Sequence, residues 1–484
     1  MLSAQDIVRK FIVGKGPRLL YLSSPFIALE PLFPNMWTVR SESGTLRAVL
    51  VQESIEQFWE KKFPFTGIES NTNLLARSPH ADIDGGREQW RQLSKYLEAE
   101  GVNVFEVTSI LEKALDSATL GERRWMVEQV WRDMPVAPKA EDLTVEHLLR
   151  GYPPKPYYDR EADRVVLPDF QRVGWPYPRD TSFTTQVGTV ICNMRRYSRR
   201  FEPRVVKLAY EYDPILSEKV EVIYDANETQ ESLTEPPCIE GGDTHIVDEE
   251  TIAVGLGQRS THTGFMEAAK ALFDRDPDGE LRYICAVKLP DYPALDYMHL
   301  DVVINYPDRG KALVMPYIFE GETVKSVTKK SLLLKTLEAL RAQSERDGRP
   351  MAPMVHPDAF RDAGSCRVYE KGTHGPELAG KWTSFVDFLV SEDKLEVDGI
   401  IYVGGASDEE NDMEHLMMAL MEQARGASNI VTLKPGKIVA FERNKVTNGE
   451  LRAHGIEVKE WEDSYLDMLG GPHCSTSPLL RDPA

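Results

Sequence analysis

The chain has 484 residues, with 57 Lys and Arg against 77 Asp and Glu, a formal net charge of −20. That length exceeds the ~250–300 residues at which a simple single core stops growing, so an unusually large domain or a core carrying an insertion is expected. A hydrophobic share of 42% and an aromatic share of 9% exclude a disordered chain, and the acidic balance argues against nucleic acid or an anionic membrane as partner.

No stretch approaches the roughly 18 consecutive apolar residues that would span a bilayer. The opening MLSAQDIVRKFIVGKGPRLL is too polar for a signal-peptide core. The five cysteines, Cys192, Cys238, Cys285, Cys366 and Cys474, are scattered, odd in number and form no C-x-x-C pair. Neither a disulfide framework nor a structural zinc site is expected, and the setting these features suggest is cytoplasmic.

Taken in chain order, one pattern of strand, tight turn, strand, helix and strand returns. TLRAVLV (45–51), the helical REQWRQLSKYLEAEG and NVFEV look like a degenerate first copy. Residues 110–150 follow with helical patterns (LEKAL, RRWMVEQVWRDM, LTVEHLLRG) and no strand signal, as an inserted helical subdomain would. The second unit is TSFTTQVGTVICN (181–193), RVVKLAYEY and VEVIYDA. The third is THIVDEETIAVGLG (244–257), GFMEAAKALFDRD and YICAVKL. The fourth is DVVINYPDRGKALVMP (301–316) with the helical SLLLKTLEALRAQSE, and the fifth is NIVTLKPGKIVAFE (429–442), NGELRAHG and EVKEW. Period-2 runs, turn residues and 3.6-residue stripes carry these assignments.

Units that cannot each bury their apolar face stack around a common axis, so the expected fold is α/β: a closed, fan-like arrangement of five ββαβ units. The domain division that follows is 1–109 as the N-terminal part of the fan, 110–155 as the helical insertion, and 156–484 as the remaining modules. An elaboration of the fourth unit is expected at about 349–397. Within it, GPELAGKW (375–382) satisfies G-x-x-x-x-G-K, but Trp382 replaces the hydroxyl residue that would hold magnesium; it reads as a surface loop. ASDEEND (406–412) lacks the rest of a calcium loop and reads as a solvated helix start.

The odd polar residues fall at equivalent places in these units. Arg179-Asp180 stands immediately before the first strand of the second unit, Glu240-Gly241-Gly242-Asp243 before that of the third, and His299-Leu300-Asp301 before that of the fourth. Cys474, in GGPHCSTSPLLRD, follows the last strand of the fifth. In a pseudo-symmetric fan such positions converge, bringing carboxylates, one imidazole and one thiol into a single pocket. That set suits attack on a guanidinium carbon: carboxylates grip the cation, a soft nucleophile attacks, and a proton donor releases the amine. Taken singly, each motif has a plainer explanation as a turn, a surface pair or a core thiol.

The combination of PRDTS, IEGGD, GQRS, MHLD and GGPHCSTSPLLRD, with the opening VRSESGTLRAVLV, resembles the arginine deiminases of the guanidine-modifying superfamily. The resemblance implies a five-bladed α/β propeller and the hydrolysis of free L-arginine to L-citrulline and ammonia through a covalent cysteine–amidino intermediate, without metal or other cofactor. It implies Cys474 as nucleophile, His299 as general acid and then base, and Glu240 as the partner that orients His299. Asp180 and Asp301 would grip the guanidinium, and Arg199 and Arg259 would hold the substrate α-carboxylate. The implied partner is this small guanidino substrate, and a homo-oligomer stays open. Two departures stand out: Gly174 where the family commonly has Asn, and Leu469 where it commonly has Arg. GQRS and EPPC also resemble the superfamily's amidinotransferases. The alternatives are therefore an amidinotransferase, a deiminase of another guanidino compound, or a non-catalytic guanidino-binding protein.

Overall fold

The computed structural model describes residues 36–53, 83–134, 136–153, 157–166, 176–228, 235–290, 297–324, 330–348, 357–405, 412–462 and 470–483. Each of the five repeats read from the sequence is built around a small mixed sheet. In the second unit, Ser182–Thr185 pairs antiparallel with Gly188–Ile191, the helix Glu202–Tyr212 crosses over, and Val222–Asp225 returns parallel to the middle strand. The third unit repeats this with Thr244–Ile246, Thr251–Leu256, the helix His262–Asp274 and Tyr283–Lys288. The fourth uses Ile304–Asp308, Lys311–Val314, the helix Lys330–Arg346 and Ile400–Tyr402; the fifth uses Val431–Lys434, Lys437–Phe441, the helix Lys445–Ala453 and Glu457–Trp461. The crossover helix is what lets the third strand run parallel to the second.

Local chemistry explains why the elements begin and end where they do. The first two strands of three units turn on a glycine with positive φ: Gly188 (+135°), Gly310 (+62°) and Gly436 (+75°). A side chain at these points would meet the steric penalty that glycine escapes. The helix His262–Asp274 starts on Thr261, whose side chain accepts from Gly264 N.

The degenerate first unit is completed in an unexpected way. Leu46–Val51 pairs parallel with Asn103–Glu106, and its other edge is taken antiparallel by Ser477–Arg481, the last strand of the chain. Residues 477–481 thus supply an edge strand that the described residues of the first unit do not.

The helical stretch is present as Val107–Ser117, Leu120–Trp131 and Val145–Arg150, which pack with the second unit's helix in one core. It opens earlier than expected: Val107, read as the end of a strand, is already helical because Glu106 caps Thr108 N and Ser109 N. GPELAGKW differs too. Pro376–Trp382 is not a loop but an edge strand, antiparallel to Cys366–Lys371, which in turn pairs with Tyr283–Lys288. The elaboration therefore interrupts the fourth unit along the chain, yet extends the third unit's sheet to five strands. The acidic ASDEEND meets a helix at Asp412, with 406–411 outside the described residues.

Apolar packing lies mainly between neighbouring units. One core joins the third, fourth and fifth, another the second and third, and another the first and fifth. In the last, Trp461 stacks on Phe441 at 5.3 Å, meets Trp90 edge-on at 6.0 Å and donates Nε1–H to Gln89 O at 2.7 Å. Each such buried aromatic contributes about 1.5–3 kcal/mol of transfer free energy, and here it fastens two units at once.

Packing is close where the turns before the first strands meet. A Cβ on Gly241 would lie 2.0 Å from Arg179 O and 3.0 Å from Ser182 O, all backbone atoms. Gly241→Ala should therefore cost about 1–3 kcal/mol and lower the melting temperature by several degrees. Gly449→Ala, in a helix with nothing within 4 Å of the added carbon, should be neutral or stabilising by about 0.5–1 kcal/mol. Thermal unfolding of the two variants tests this, and equal melting temperatures would refute the packing at Gly241.

Candidate active site

Three short 3-10 turns carry the polar residues singled out in the sequence: Pro178–Thr181, Gly241–Asp243 and Leu300–Val302, each directly before the first strand of its unit or one residue from it. Asp180, Glu240, His299, Asp301 and Cys474 are all buried, with 0–2% exposure. The turns are stitched to one another. Asp243 Oδ2 accepts from Ser260 N and Oγ at 3.2 and 2.6 Å, and Oδ1 from Leu300 N at 3.1 Å, tying the third unit's turn to the fourth's. Arg179 N donates to Cys474 O at 3.3 Å and Arg179 Nε to Thr476 O at 2.9 Å, tying the second unit to the cysteine segment.

The expected residues form two linked groups. In the first, His299 Nε2 is 2.8 Å from Glu240 Oε2, and His299 Nδ1 is 3.6 Å from Asp180 Oδ1. In the second, Cys474 Sγ donates to Asp301 Oδ2 at 3.2 Å. Asp180 Oδ1, Asp301 Oδ1 and His299 Nδ1 are buried, and none has a hydrogen-bond partner among the described residues. An unsatisfied buried acceptor costs about 1–3 kcal/mol, more when charged, so these two carboxylate oxygens are poised for a donor.

The arginines are placed differently from the expectation. Arg199 Nη1 is 2.6 Å from Asp180 Oδ2 and Nη2 is 2.8 Å from Glu202 Oε2, while Nη2 also donates to Tyr177 O at 3.3 Å. Its fork is occupied by protein carboxylates, and its direct effect is to hold Asp180. Arg259 has looser contacts: Nη1 to Glu240 Oε2 at 3.4 Å and Nη2 to Met298 Sδ at 3.5 Å. Gly174 and Leu469 lie outside the described residues.

Electrostatics follow from this crowding. Burial alone would lower the pKa of His299, but the carboxylates of Asp180, Asp243 and Glu240 outweigh it and raise it to about 9. Burial would raise Glu240, but Arg259 and His299 outweigh it and hold the carboxyl well below its usual range. Cys474 is pushed well above an ordinary thiol by burial first and then by the charges of Asp301 and Asp180. The resting group is thus a neutral thiol hydrogen-bonded to a carboxylate.

Ligand atoms of Asp180, Glu240 and His299 lie within 4.8 Å of one another, as a metal site would require. Their chemistry fits a cation cage poorly. An imidazole raised to about 9 keeps both ring protons at neutral pH, and both carboxylates already face fixed guanidinium groups.

Three participants escaped the sequence reading. Asn429 Oδ1 accepts from Gly471 N and Cys474 N at 2.9 and 3.0 Å, while Nδ2 donates to Cys474 Sγ at 3.1 Å and Asp301 O at 3.3 Å. His473 Nδ1 is 2.8 Å from Asp301 Oδ2, and its Nε2 is 3.4 Å from Glu42 Oε2. Glu202 is the third. Asn429 stands just before the first strand of the fifth unit and Glu42 shortly before that of the first. The positional rule that found Asp180, Glu240 and His299 would have reached both.

The sequence model of the family described as arginine deiminase matches residues 174–342 and 385–481, together more than half of the chain. Among similar proteins, the arginine deiminase of Listeria welshimeri is 27% identical over 312 residues, covering 63% of this chain and 61% of that protein. The arginine deiminase of Pediococcus pentosaceus is 26% identical over 334 residues, covering 66% and 67%. Against the Listeria relatives, then, the match spans about three fifths of their length. Two solved structures overlay loosely. The amidinotransferase SxtG from Microseira wollei, of a saxitoxin biosynthetic pathway, has a TM-score of 0.47 at 14% identity, covering 93% of this chain and 98% of that one. DDAH from Pseudomonas aeruginosa has a TM-score of 0.44 at 12% identity, covering 90% and 99%. Among the described residues no helix is long and apolar enough to cross a membrane.

The raised His299 has a measurable consequence. Its folded pKa, about 9, lies above the ordinary 6.5. The stability it contributes is therefore complete below about pH 6.5 and is lost as pH rises through 9. Unfolding free energy measured between pH 6.5 and 9 should fall, and His299→Gln should flatten that fall. An unchanged slope would mean that His299 is not held protonated.

Proposed function

The chain belongs to the arginine deiminase family, and from that premise we propose that it hydrolyses the guanidinium group of free L-arginine to L-citrulline and ammonia through a covalent cysteine–amidino intermediate. The observation that carries this reading is the pair of buried oxygens without a hydrogen-bond partner among the described residues, Asp180 Oδ1 and Asp301 Oδ1, beside the Cys474 thiol and His299 Nδ1. A planar cation with several N–H donors satisfies both oxygens at once. On this reading the five sheets are blades about one axis, and the turns converge at one mouth of it.

The chemistry starts from a neutral thiol. The arriving guanidinium offsets the Asp301 and Asp180 charges that hold the Cys474 proton on sulfur, so the thiolate forms in the presence of substrate; its proton leaves by way of Asp301 Oδ2 and ends on the released ammonia as ammonium. Asn429 Nδ2, 3.1 Å from Sγ, donates to the sulfur as charge develops. Sulfur attacks the guanidinium carbon, and His299, doubly protonated and anchored by Glu240, gives a proton to the leaving nitrogen. Ammonia departs and a thiouronium-type intermediate remains on sulfur. The now neutral His299 takes a proton from water, whose oxygen attacks the same carbon. The carbon–sulfur bond breaks, leaving the ureido product and the thiol.

For the substrate's other end, Arg259 is the better placed of the two arginines, since its protein contacts are the longer ones. Arg199 acts one step back, by orienting Asp180.

Two outcomes test this. Arginine should yield ammonia and citrulline, and Cys474→Ser should lower turnover by about 10³-fold or more while still binding arginine. Transfer of the amidino group to an added amine, with no ammonia released, would replace hydrolysis by amidino transfer. Losing a charge-assisted contact costs about 1.5–3 kcal/mol, roughly ten- to a hundredfold. Agmatine, which lacks the carboxylate, should be processed that much more poorly than arginine, and Arg259→Ala should narrow the ratio. A ratio near one in the unaltered enzyme would remove the carboxylate clamp.

A further inference from the structure

A second group of buried polar atoms without hydrogen-bond partners among the described residues lies next to the candidate active site, joined to it through Glu42 and His473, and its chemistry differs. There the open oxygens belong to carboxylates; here the open atoms are guanidinium nitrogens and a hydroxyl. A narrow cavity is lined by Val39, Glu42, Arg179, Thr244, Ser477 and Pro478, among others, and has room for about one water-sized guest. Arg179 Nη2 and Thr244 Oγ1, on residues 3% and 1% exposed, have no hydrogen-bond partner among the described residues. Beside the cavity, Arg481 is 1% exposed, and its Nε and Nη2 are likewise without partner. Arg481 lies on the strand that supplies Ser477 and Pro478, and its backbone bridges Val39.

The charge balance points the same way. Glu42 is the one carboxylate among the lining residues, and both of its oxygens are engaged: Oε1 by Arg179 Nη1 at 3.2 Å and Oε2 by His473 Nε2 at 3.4 Å. Burial would raise Glu42, but Arg179 and His473 outweigh it and keep the carboxyl ionised. One negative charge thus faces two guanidinium groups, in a place where uncompensated charge is expensive. Burial, with Arg179 adding to it, lowers Arg481 to about 10 even with Glu42 opposing the shift.

We propose that this cavity binds one small monovalent anion of the halide class. The guest must accept hydrogen bonds from Arg179 Nη2 and Thr244 Oγ1 and offset the excess positive charge. The room available rules out a carboxylate, sulfate or phosphate. Neutral water would satisfy the donors and leave the charge uncompensated.

The direct test is crystallographic, on the full chain grown or soaked in sodium bromide, with diffraction recorded at the bromine edge. An anomalous peak within hydrogen-bond reach of Arg179 Nη2 and Thr244 Oγ1 is the expected result. Density of water height there, with no anomalous signal, overturns the proposal. In solution, chloride should raise the melting temperature saturably over gluconate at equal ionic strength, and Thr244→Val, which removes one donor without touching the active-site residues, should weaken that rise. An identical response to chloride and gluconate in the unaltered protein overturns the proposal.

Discussion

Buried carboxylates, two of them with one oxygen lacking a hydrogen-bond partner among the described residues, are what the rest of this molecule is arranged around. Removing an ionised carboxyl from water costs several kcal/mol unless charges and donors are supplied in its place. Around the turns of the second, third and fourth units, the protein supplies them selectively. Asp180 receives Arg199 on one oxygen, Glu240 receives His299, Arg259 and Arg195 N, and Asp301 receives His473 and the Cys474 thiol on one oxygen. The remaining oxygens of Asp180 and Asp301 are left for something else. Such an arrangement is held open only because the surrounding backbone is over-determined, and the interlocked turns provide this: Gly241 against Arg179, Asp243 across to Leu300, Asn429 across to Cys474.

The same crowding sets the protonation pattern. The carboxylates outweigh burial to raise His299, and burial together with the charges of Asp301 and Asp180 raises Cys474, so that at neutral pH the imidazole carries its second proton and the thiol keeps its own. On the proposed mechanism, an acid ready to protonate a leaving amine and a nucleophile silent until a cation arrives both follow from this environment. A thiol of this kind is guarded against adventitious oxidation, since the thiolate is the reactive form. The other four cysteines are buried without disulfide partners.

Much of this was legible in the sequence because the polar residues recur at one position of a repeat. Asp180, Glu240 and His299 could be placed together without any contact being known, since each immediately precedes, or stands within a few residues of, a first strand. Asn429 and Glu42 sit at comparable places and were passed over because an amide in NIV and an acid in SES carry no chemical signature alone. The pairing of Arg199 with Glu202 depends on a helix starting at Glu202, which turns an i, i+3 spacing into an ion pair. The strand identity of 376–382 depends on its partner 366–371 and through it on 283–288, and the union of Leu46–Val51 with Ser477–Arg481 spans nearly the whole chain. Period-2 patterning reports which face is buried; it does not name the partner.

In the proposed function, Asp180 and Asp301 form a receptor for a guanidinium group with its carbon presented to Cys474. A crystal structure of Cys474→Ser with L-arginine bound tests it most directly. The account predicts guanidinium nitrogens at about 3 Å from Asp180 Oδ1 and from Asp301 Oδ1, with the central carbon facing position 474 and His299 Nδ1 beside a terminal nitrogen. Arginine bound elsewhere, or bound here with its guanidinium away from both carboxylates, would contradict it.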